Sequence, residues 1–151
     1  MVGRFTDGPP VGLVVVTHGG AADCLLQAVA GILGPLAAAV PVSVSMNETF
    51  DETLERVERA CDEVDTGAGV VLLVDLQGSS PYQACMAMMD GSRPVEVVCG
   101  VNLAMLLKLA TIDRCEPRPP ELAELLREVG RRSIRLGSEL TGRVPFEEIE
   151  R

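Results

Sequence analysis

Residues 11–20 read VGLVVVTHGG, an apolar and largely β-branched run that ends in a histidine and a pair of glycines. A continuous apolar run of this length is typical of a strand that is buried on both faces of a parallel sheet. In an open α/β sheet, ligands and chemistry collect where such a strand ends. His18, the one histidine of the chain, stands at that junction. Its imidazole can act as a base, a nucleophile or a ligand near neutral pH, or it can merely cap a backbone carbonyl.

Beyond this run, the sequence alternates between buried-strand patterns and helical stripes of apolar residues. The predicted strands are residues 11–17, 40–46, 69–75 and 95–101, and the predicted helices are residues 21–33, 50–64, 80–89, 102–112 and 121–136. Four strands that are each followed by a helix predict an α/β fold with one parallel sheet and right-handed crossovers.

The chain has 151 residues and a formal net charge of -9. This length fits one domain, which we expect at residues 11–140, between an N-terminal extension (1–10) and a C-terminal tail (141–151). The negative charge argues against binding to nucleic acid, which needs clustered Lys and Arg. It suits either solubility or a partner with a basic face. Without a secretory signal or a bilayer-spanning apolar stretch, we expect a cytoplasmic protein.

The five cysteines are widely spaced and form no Cys-x-x-Cys motif. No second histidine is present to complete a zinc site, and the odd count argues against a disulfide framework. We therefore expect most of these thiols to be small buried side chains. A redox role for Cys99 or Cys115 is the less favoured alternative.

Polar residues follow each predicted strand at its carboxyl end, and in a parallel sheet these ends share one edge. They are Thr17 and His18 after the first strand, Asn47 after the second, residues 75–81 (DLQGSSP) after the third, and Asn102 after the fourth. Asp75 could orient the imidazole by accepting a hydrogen bond from one ring nitrogen. Gly78, Ser79 and Ser80 could form an anion site at a helix N-terminus. Together these residues favour a histidine that accepts a phosphoryl group.

Each of these residues also has a purely structural interpretation. Asp75 could cap its loop, Ser80 and Pro81 could simply begin a helix, and Asn102 could be a helix N-cap. Other catalytic classes lack their motifs, because the chain has no Gly-x-Ser-x-Gly elbow, no Walker loop and no Rossmann glycine fingerprint. An acidic magnesium-binding cluster is also missing after the first strand, which excludes a phospho-aspartate receiver.

In these segments the chain resembles the enzyme IIA component of the mannose/fructose/sorbose class of the bacterial sugar phosphotransferase system (PTS). The matching segments are residues 12–19 with Ala22, Leu25 and Leu26; residues 70–75 with Gly78, Ser80 and Pro81; and residues 100–103 with Met105 and Leu106. Their order and spacing extend over nearly the whole chain, from about Val11 to Leu140.

The resemblance implies a phosphocarrier with a flavodoxin-like, doubly wound sheet. His18 would receive phosphate from the phosphohistidine of the protein HPr and pass it to a histidine or cysteine of a IIB component. Asp75 would pair with His18, and Gly19 would join residues 78–80 around the phosphate. The family implies a homodimer with an additional antiparallel strand near the subunit interface. It implies no metal and no organic cofactor.

The sequence departs from the family at two positions: Ser79 stands where many relatives have glycine, and Ala104 replaces a frequent proline. We expect no fused IIB domain and therefore an acceptor that is a separate protein. Two alternatives remain open. One is a regulatory sensor that is phosphorylated on His18 but transfers to nothing. The other is the phosphotransfer subunit of dihydroxyacetone kinase, although Gly19 stands where serine is typical of that protein.

Overall fold

A computed structural model describes residues 7–142 of the chain, in which four strands, each followed by a helix, precede two further helices. The strands are β1 (Gly12–His18), β2 (Ala39–Val44), β3 (Val70–Val74) and β4 (Val95–Cys99), and the helices are α1 (Ala21–Leu33), α2 (Phe50–Val64), α3 (Ser80–Ala87), α4 (Leu103–Leu109), α5 (Pro119–Ser133) and α6 (Gly137–Thr141). The strands form a parallel sheet in the order β2-β1-β3-β4. The predicted α/β fold with a flavodoxin-like parallel sheet is confirmed.

The central strand β1 is buried from Gly12 to Thr17, and only its last residue, His18, is exposed. Alternate side chains of β1 enter two apolar layers, one on each face of the sheet. Leu13 and Val15 pack in the layer that α1, α4 and α5 cover. Val14 and Val16 pack in the layer that α2 and α3 cover. Burial on both faces explains why the strand has no polar side chain before Thr17.

Helix α2 ends so close to β1 that a side chain at position 12 would collide with it. A Cβ atom built on Gly12 would lie 2.6 Å from Cγ2 of Val64 and 2.7 Å from its carbonyl oxygen. Glycine is therefore required at this position, because the close approach of α2 leaves no space for a larger residue.

Several strands and helices end earlier than predicted. Strand β2 stops at Val44 because residues 45–48 form a turn, in which the Glu48 N–H donates to the Ser45 carbonyl at 3.2 Å. Helix α4 ends at Leu109, where the Thr111 N–H bonds the Lys108 carbonyl at 2.9 Å. Both hydrogen bonds close local turns, and the spacing of apolar residues does not predict where such turns end a strand or a helix.

The C-terminal part of the described chain also differs from the prediction. Helix α5 begins at Pro119, because proline fits the first turn of a helix, and it ends at Ser133 rather than Leu136. The short helix α6 was not predicted. Residues 1–6 of the predicted extension and 143–151 of the predicted tail lie outside the described residues. Among the helices of residues 7–142, none has the length and apolarity needed to cross a membrane.

Candidate functional site

His18 and Asp75 meet at the carboxyl edge of the sheet, at the ends of the adjacent strands β1 and β3. The Oδ2 atom of Asp75 accepts a hydrogen bond from the His18 backbone N–H at 2.9 Å and lies 2.9 Å from ring atom Nδ1. The backbone N–H of Asp75 in turn bonds the Val16 carbonyl at 3.4 Å. The predicted partnership between the two side chains is therefore present in the geometry of the fold.

The electrostatics of this pair keep Asp75 ionised. Burial by itself would raise the pKa of Asp75, but hydrogen bonds from the His18 backbone and ring outweigh it and hold that pKa below its ordinary value. An ionised carboxylate can only accept hydrogen bonds, so the proton of a neutral His18 ring lies on Nδ1. Atom Nε2 then carries the free lone pair, and 43% of the His18 side chain is exposed to solvent.

The other carboxylate oxygen of Asp75 has no partner. Atom Oδ1 is buried and makes no hydrogen bond to any of the residues 7–142. Every hydrogen bond between the Asp75 side chain and His18 thus passes through Oδ2, which fixes the backbone and the ring of the same residue together.

The N-terminus of α3 faces this edge with unused backbone donors. The Ser79 hydroxyl is the N-cap: it accepts from the Tyr82 N–H at 3.3 Å and donates to the Leu76 carbonyl at 2.7 Å. The N–H groups of Gly78, Ser79 and Ser80 make no hydrogen bond within the described part of the chain. Unpaired N–H groups at a helix N-terminus attract anions. An anion at the predicted site would therefore be bound by backbone groups, because the Ser79 hydroxyl already caps the helix.

The N-terminus of α1 lies directly behind His18. The fully buried Thr17 accepts a hydrogen bond from the Ala22 N–H through its hydroxyl at 2.7 Å, which attaches the helix to the end of β1. Gly19 has φ +53°, a left-handed conformation that glycine adopts without strain, and no atom lies within 4 Å of where its Cβ would be. The chain can thus turn sharply from strand to helix and leave space beside His18.

The two predicted asparagines are less closely associated with His18. Asn47 lies in the turn after β2 and lines a groove of about 420 Å³ along the first half of α2. Asn102 caps α4 by accepting from the Met105 N–H at 3.2 Å, in agreement with its structural interpretation. Because β3 separates β4 from β1, Asn102 follows a strand about 10 Å from that of His18.

Sequence reasoning did not single out Glu48, which organises the turn beside the site. Its carboxylate accepts from the Ser45 N–H at 3.1 Å and from Arg56 at 2.7 Å. Burial by itself would raise the pKa of Glu48, but these bonds outweigh it and leave that pKa lowered. The sequence feature that could have predicted this ion pair is the position of Glu48 just before a predicted helix and of Arg56 within it.

The cysteines are all free thiols, and only Cys61 and Cys85 are buried. The prediction that most of them are buried is therefore wrong, because Cys24 lies exposed and Cys99 and Cys115 are only partly covered. Burial raises the pKa of Cys61 to about 11 and raises that of Cys85 as well. Such thiols are poor nucleophiles at neutral pH. Over residues 7–142 no three His, Cys, Asp or Glu side chains are grouped closely enough to hold a metal ion.

Comparison with known proteins identifies the family. The family profile described as "PTS system fructose IIA component" (EIIA-man) matches residues 12–126, which include both His18 and Asp75. The chain belongs to the EIIA-man family. This result confirms the resemblance found in the sequence.

Curated relatives and solved structures agree with this assignment. The chain is 30% identical over 125 residues to the "PTS system mannose-specific EIIAB component" of Escherichia coli K12, and the matched region covers 83% of this chain and 39% of the relative. The chain thus spans about two fifths of the length of the curated relatives it matches. The mannose/sorbose-specific IIA subunit from Enterococcus faecalis is 28% identical, with a TM-score of 0.73 over 84% of this chain and 94% of that one. A PTS EIIA component from Streptococcus agalactiae shares the fold, with a TM-score of 0.76 at 20% identity over 85% of this chain and 98% of that one.

Proposed function

We propose that His18 carries a phosphoryl group, which it receives from the phosphohistidine of HPr and passes to a IIB component of the sugar phosphotransferase system. The observation that carries this proposal is the contact between Nδ1 of His18 and Oδ2 of Asp75, at 2.9 Å. It leaves Nε2 as the nucleophile at an exposed edge of the sheet. The reaction depends on phosphoenolpyruvate as the ultimate donor, and we place it in the cytoplasm.

The transfer exchanges one nitrogen–phosphorus bond for another. The lone pair of His18 Nε2 attacks phosphorus, the bond between phosphorus and the donor imidazole breaks, and the new bond forms at Nε2. A donor ring that is protonated on its other nitrogen leaves as neutral imidazole. The proton on Nδ1 of His18 stays in place, so the phosphorylated ring is positively charged. The carboxylate of Asp75 stabilises that charge, as the aspartate of a catalytic triad stabilises an imidazolium.

The phosphoryl oxygens need hydrogen-bond donors, and the segments that form this edge contain no Lys or Arg to provide them. The unpaired N–H groups of Gly78, Ser79 and Ser80 at the start of α3 supply them, together with the exposed hydroxyl of Ser80. Gly19 contributes space rather than a donor, because its N–H bonds the Val44 carbonyl at 2.8 Å. Preorganised backbone donors stabilise charge as it develops, because they need no reorganisation during the reaction. Thr17 takes part indirectly, by holding α1 against the end of β1. Asn47 and Asn102 line the outer parts of the same edge.

We also propose that the protein is a homodimer that pairs through β4. The two edges of the sheet differ: β2 has Pro41, which lacks an N–H donor, whereas β4 has no proline and is only partly buried. The Glu96 side chain, which accepts from the Val97 N–H at 2.9 Å, would have to release that donor on pairing. After α5, the backbone of Ile134 and Leu136 is extended and both side chains are largely exposed. Residues 134–136 of a second copy would supply the antiparallel strand that the family resemblance implied.

The phosphorylation proposal is tested by incubating the protein with phosphoenolpyruvate, enzyme I and HPr and measuring its intact mass. We expect the addition of one phosphoryl group that is labile in acid and stable in base, and that is absent from His18→Ala. An unmodified wild-type protein, or an equally modified His18→Ala, would refute the proposal. Incubation of the phosphorylated protein with IIB components of the same cell then tests transfer. A phosphoryl group that none of them accepts would instead support the regulatory sensor.

A further inference from the structure

Two large apolar side chains flank His18 at the carboxyl edge of the sheet. Met46 lies two residues beyond Val44, the residue of β2 that pairs with His18, and 91% of it is exposed. Leu76 follows Asp75 on the β3 side of His18 and is 60% exposed. Single exposed apolar residues are common on protein surfaces. Here, however, two of them lie on opposite sides of the nucleophile. A protein that approaches Nε2 therefore contacts both.

Both side chains project from loops that are held in place by hydrogen bonds. The turn that contains Met46 is closed by bonds between Ser45 and Glu48, and Arg56 fixes the carboxylate of Glu48 from α2. The carbonyl of Leu76 accepts from the Ser79 hydroxyl at 2.7 Å. Met46 and Leu76 are therefore presented in defined positions without contributing to the core, which is expected of contact residues rather than of loose loop tips.

The negative charge around this edge indicates the charge of the protein surface that binds to it. Residues 5–55 and 60–92 contain neither Lys nor Arg, and they include β1, β2, β3 and the loops that follow them. The nearby cations Arg56 and Arg59 are paired with Glu48 and Glu55. Asp51 and Glu52 in the first turn of α2 are exposed and form no ion pair with any of the residues 7–142. The surface that fits here has apolar residues around its phosphoryl group and basic residues outside them.

We propose that Met46 and Leu76 are the apolar contacts on which the phosphohistidine-bearing donor protein docks to His18. This inference rests on the proposed function and extends it by naming the residues that select the donor. A small phosphoryl donor would reach Nε2 without touching either side chain, whereas a protein donor must cover both. The unbranched methionine can adjust its shape to the surface it meets.

The test compares two phosphoryl donors on the Met46→Glu and Leu76→Glu variants. The protein donor is phospho-HPr, and the small donor is phosphoramidate, which phosphorylates imidazole directly. For phospho-HPr we expect KM to rise roughly tenfold or more in each variant, because each introduces an unpaired charge into an apolar contact. The rate of His18 phosphorylation by phosphoramidate should be unchanged in both. Ile32→Glu is the matched control: this residue is 58% exposed at the far end of α1 and should leave both reactions unchanged.

The outcomes separate this inference from the proposed function. Wild-type KM for phospho-HPr in both variants overturns the docking surface while His18 phosphorylation stands. An equal loss with both donors also overturns it, because the substitutions would then have damaged the site. A lower oligomeric mass of the variants by light scattering would assign the surface to contacts between copies and overturn the inference. Wild-type protein that phosphoramidate labels but phospho-HPr does not would instead refute the proposed donor.

Discussion

The Oδ2 atom of Asp75 accepts hydrogen bonds from both the backbone and the ring of His18, each at 2.9 Å. One oxygen thus fixes the end of strand β1 and the orientation of the imidazole at the same time. Because both bonds belong to one residue, the ring cannot rotate away from Asp75 without losing a bond, and the backbone cannot move independently of the carboxylate. This arrangement keeps Nε2 directed away from Asp75 and available to a phosphoryl group.

The substitution Asp75→Asn should leave the protein folded but slow phosphoryl transfer by roughly 100-fold or more. An amide can donate a hydrogen bond to Nδ1, which would favour the ring tautomer with its proton on Nε2 and block the nucleophile. Single-turnover transfer from phospho-HPr measures the rate, and circular dichroism verifies the fold. A wild-type rate in the folded variant would exclude Asp75 from the site.

The same pair should contribute to stability in a pH-dependent way. The pKa of Asp75 in the folded state is lowered below its ordinary value of 3.8, so its stabilising effect is complete above that pH and is lost as the pH falls through the folded-state pKa. We expect the free energy of unfolding of the wild type to fall more steeply below about pH 4 than that of Asp75→Asn. Urea titrations at a series of pH values test this, and parallel curves for the two proteins would contradict it.

Ser79 and Ser80 should respond differently to replacement by alanine. Ser79→Ala removes the N-cap of α3 and should lower the free energy of unfolding by about 1 kcal/mol. Ser79→Gly should lower it by only about a few tenths of a kcal/mol. Ser80→Ala should leave stability unchanged but weaken the hold on the phosphoryl group, seen as a faster loss of label from phosphorylated His18. A loss of stability in Ser80→Ala together with a faster loss of label in Ser79→Ala would contradict both assignments.

Thr17 should stabilise the junction between β1 and α1. Thr17→Val keeps the shape of the side chain but leaves the N–H of Ala22 without an acceptor, and we expect a loss of about 1–3 kcal/mol. Thr17→Ser retains the hydroxyl and should recover much of that loss. Thermal or urea unfolding measures both variants, and equal stabilities for Val and Ser would refute the role of the hydroxyl.

The dimer proposal predicts that Ile134→Glu combined with Leu136→Glu produces a monomer. Burial of two charges against β4 would oppose pairing, because unpaired charges are costly in an interface. Light scattering measures the mass, with Ile32→Glu as a control at a surface remote from β4. A wild-type protein that is already monomeric would contradict the proposal at once.

The sequence by itself determined the order of strands and helices and the polar character of the strand ends. It did so because burial on both faces, helical periodicity and capping residues are local properties of the chain. The run of residues 11–17 needs two apolar layers around it, and that requirement favours a parallel sheet over any other fold of this length.

Only the tertiary structure decided which of these polar residues meet. The order β2-β1-β3-β4 places Asp75 beside His18 and keeps Asn102 one strand farther away, and no local pattern encodes that order. It also decided that the Ser79 hydroxyl caps α3, that Nδ1 rather than Nε2 faces Asp75, and that Met46 and Leu76 remain exposed. These are results of how separate segments pack, because contacts between residues 57 positions apart depend on the whole fold.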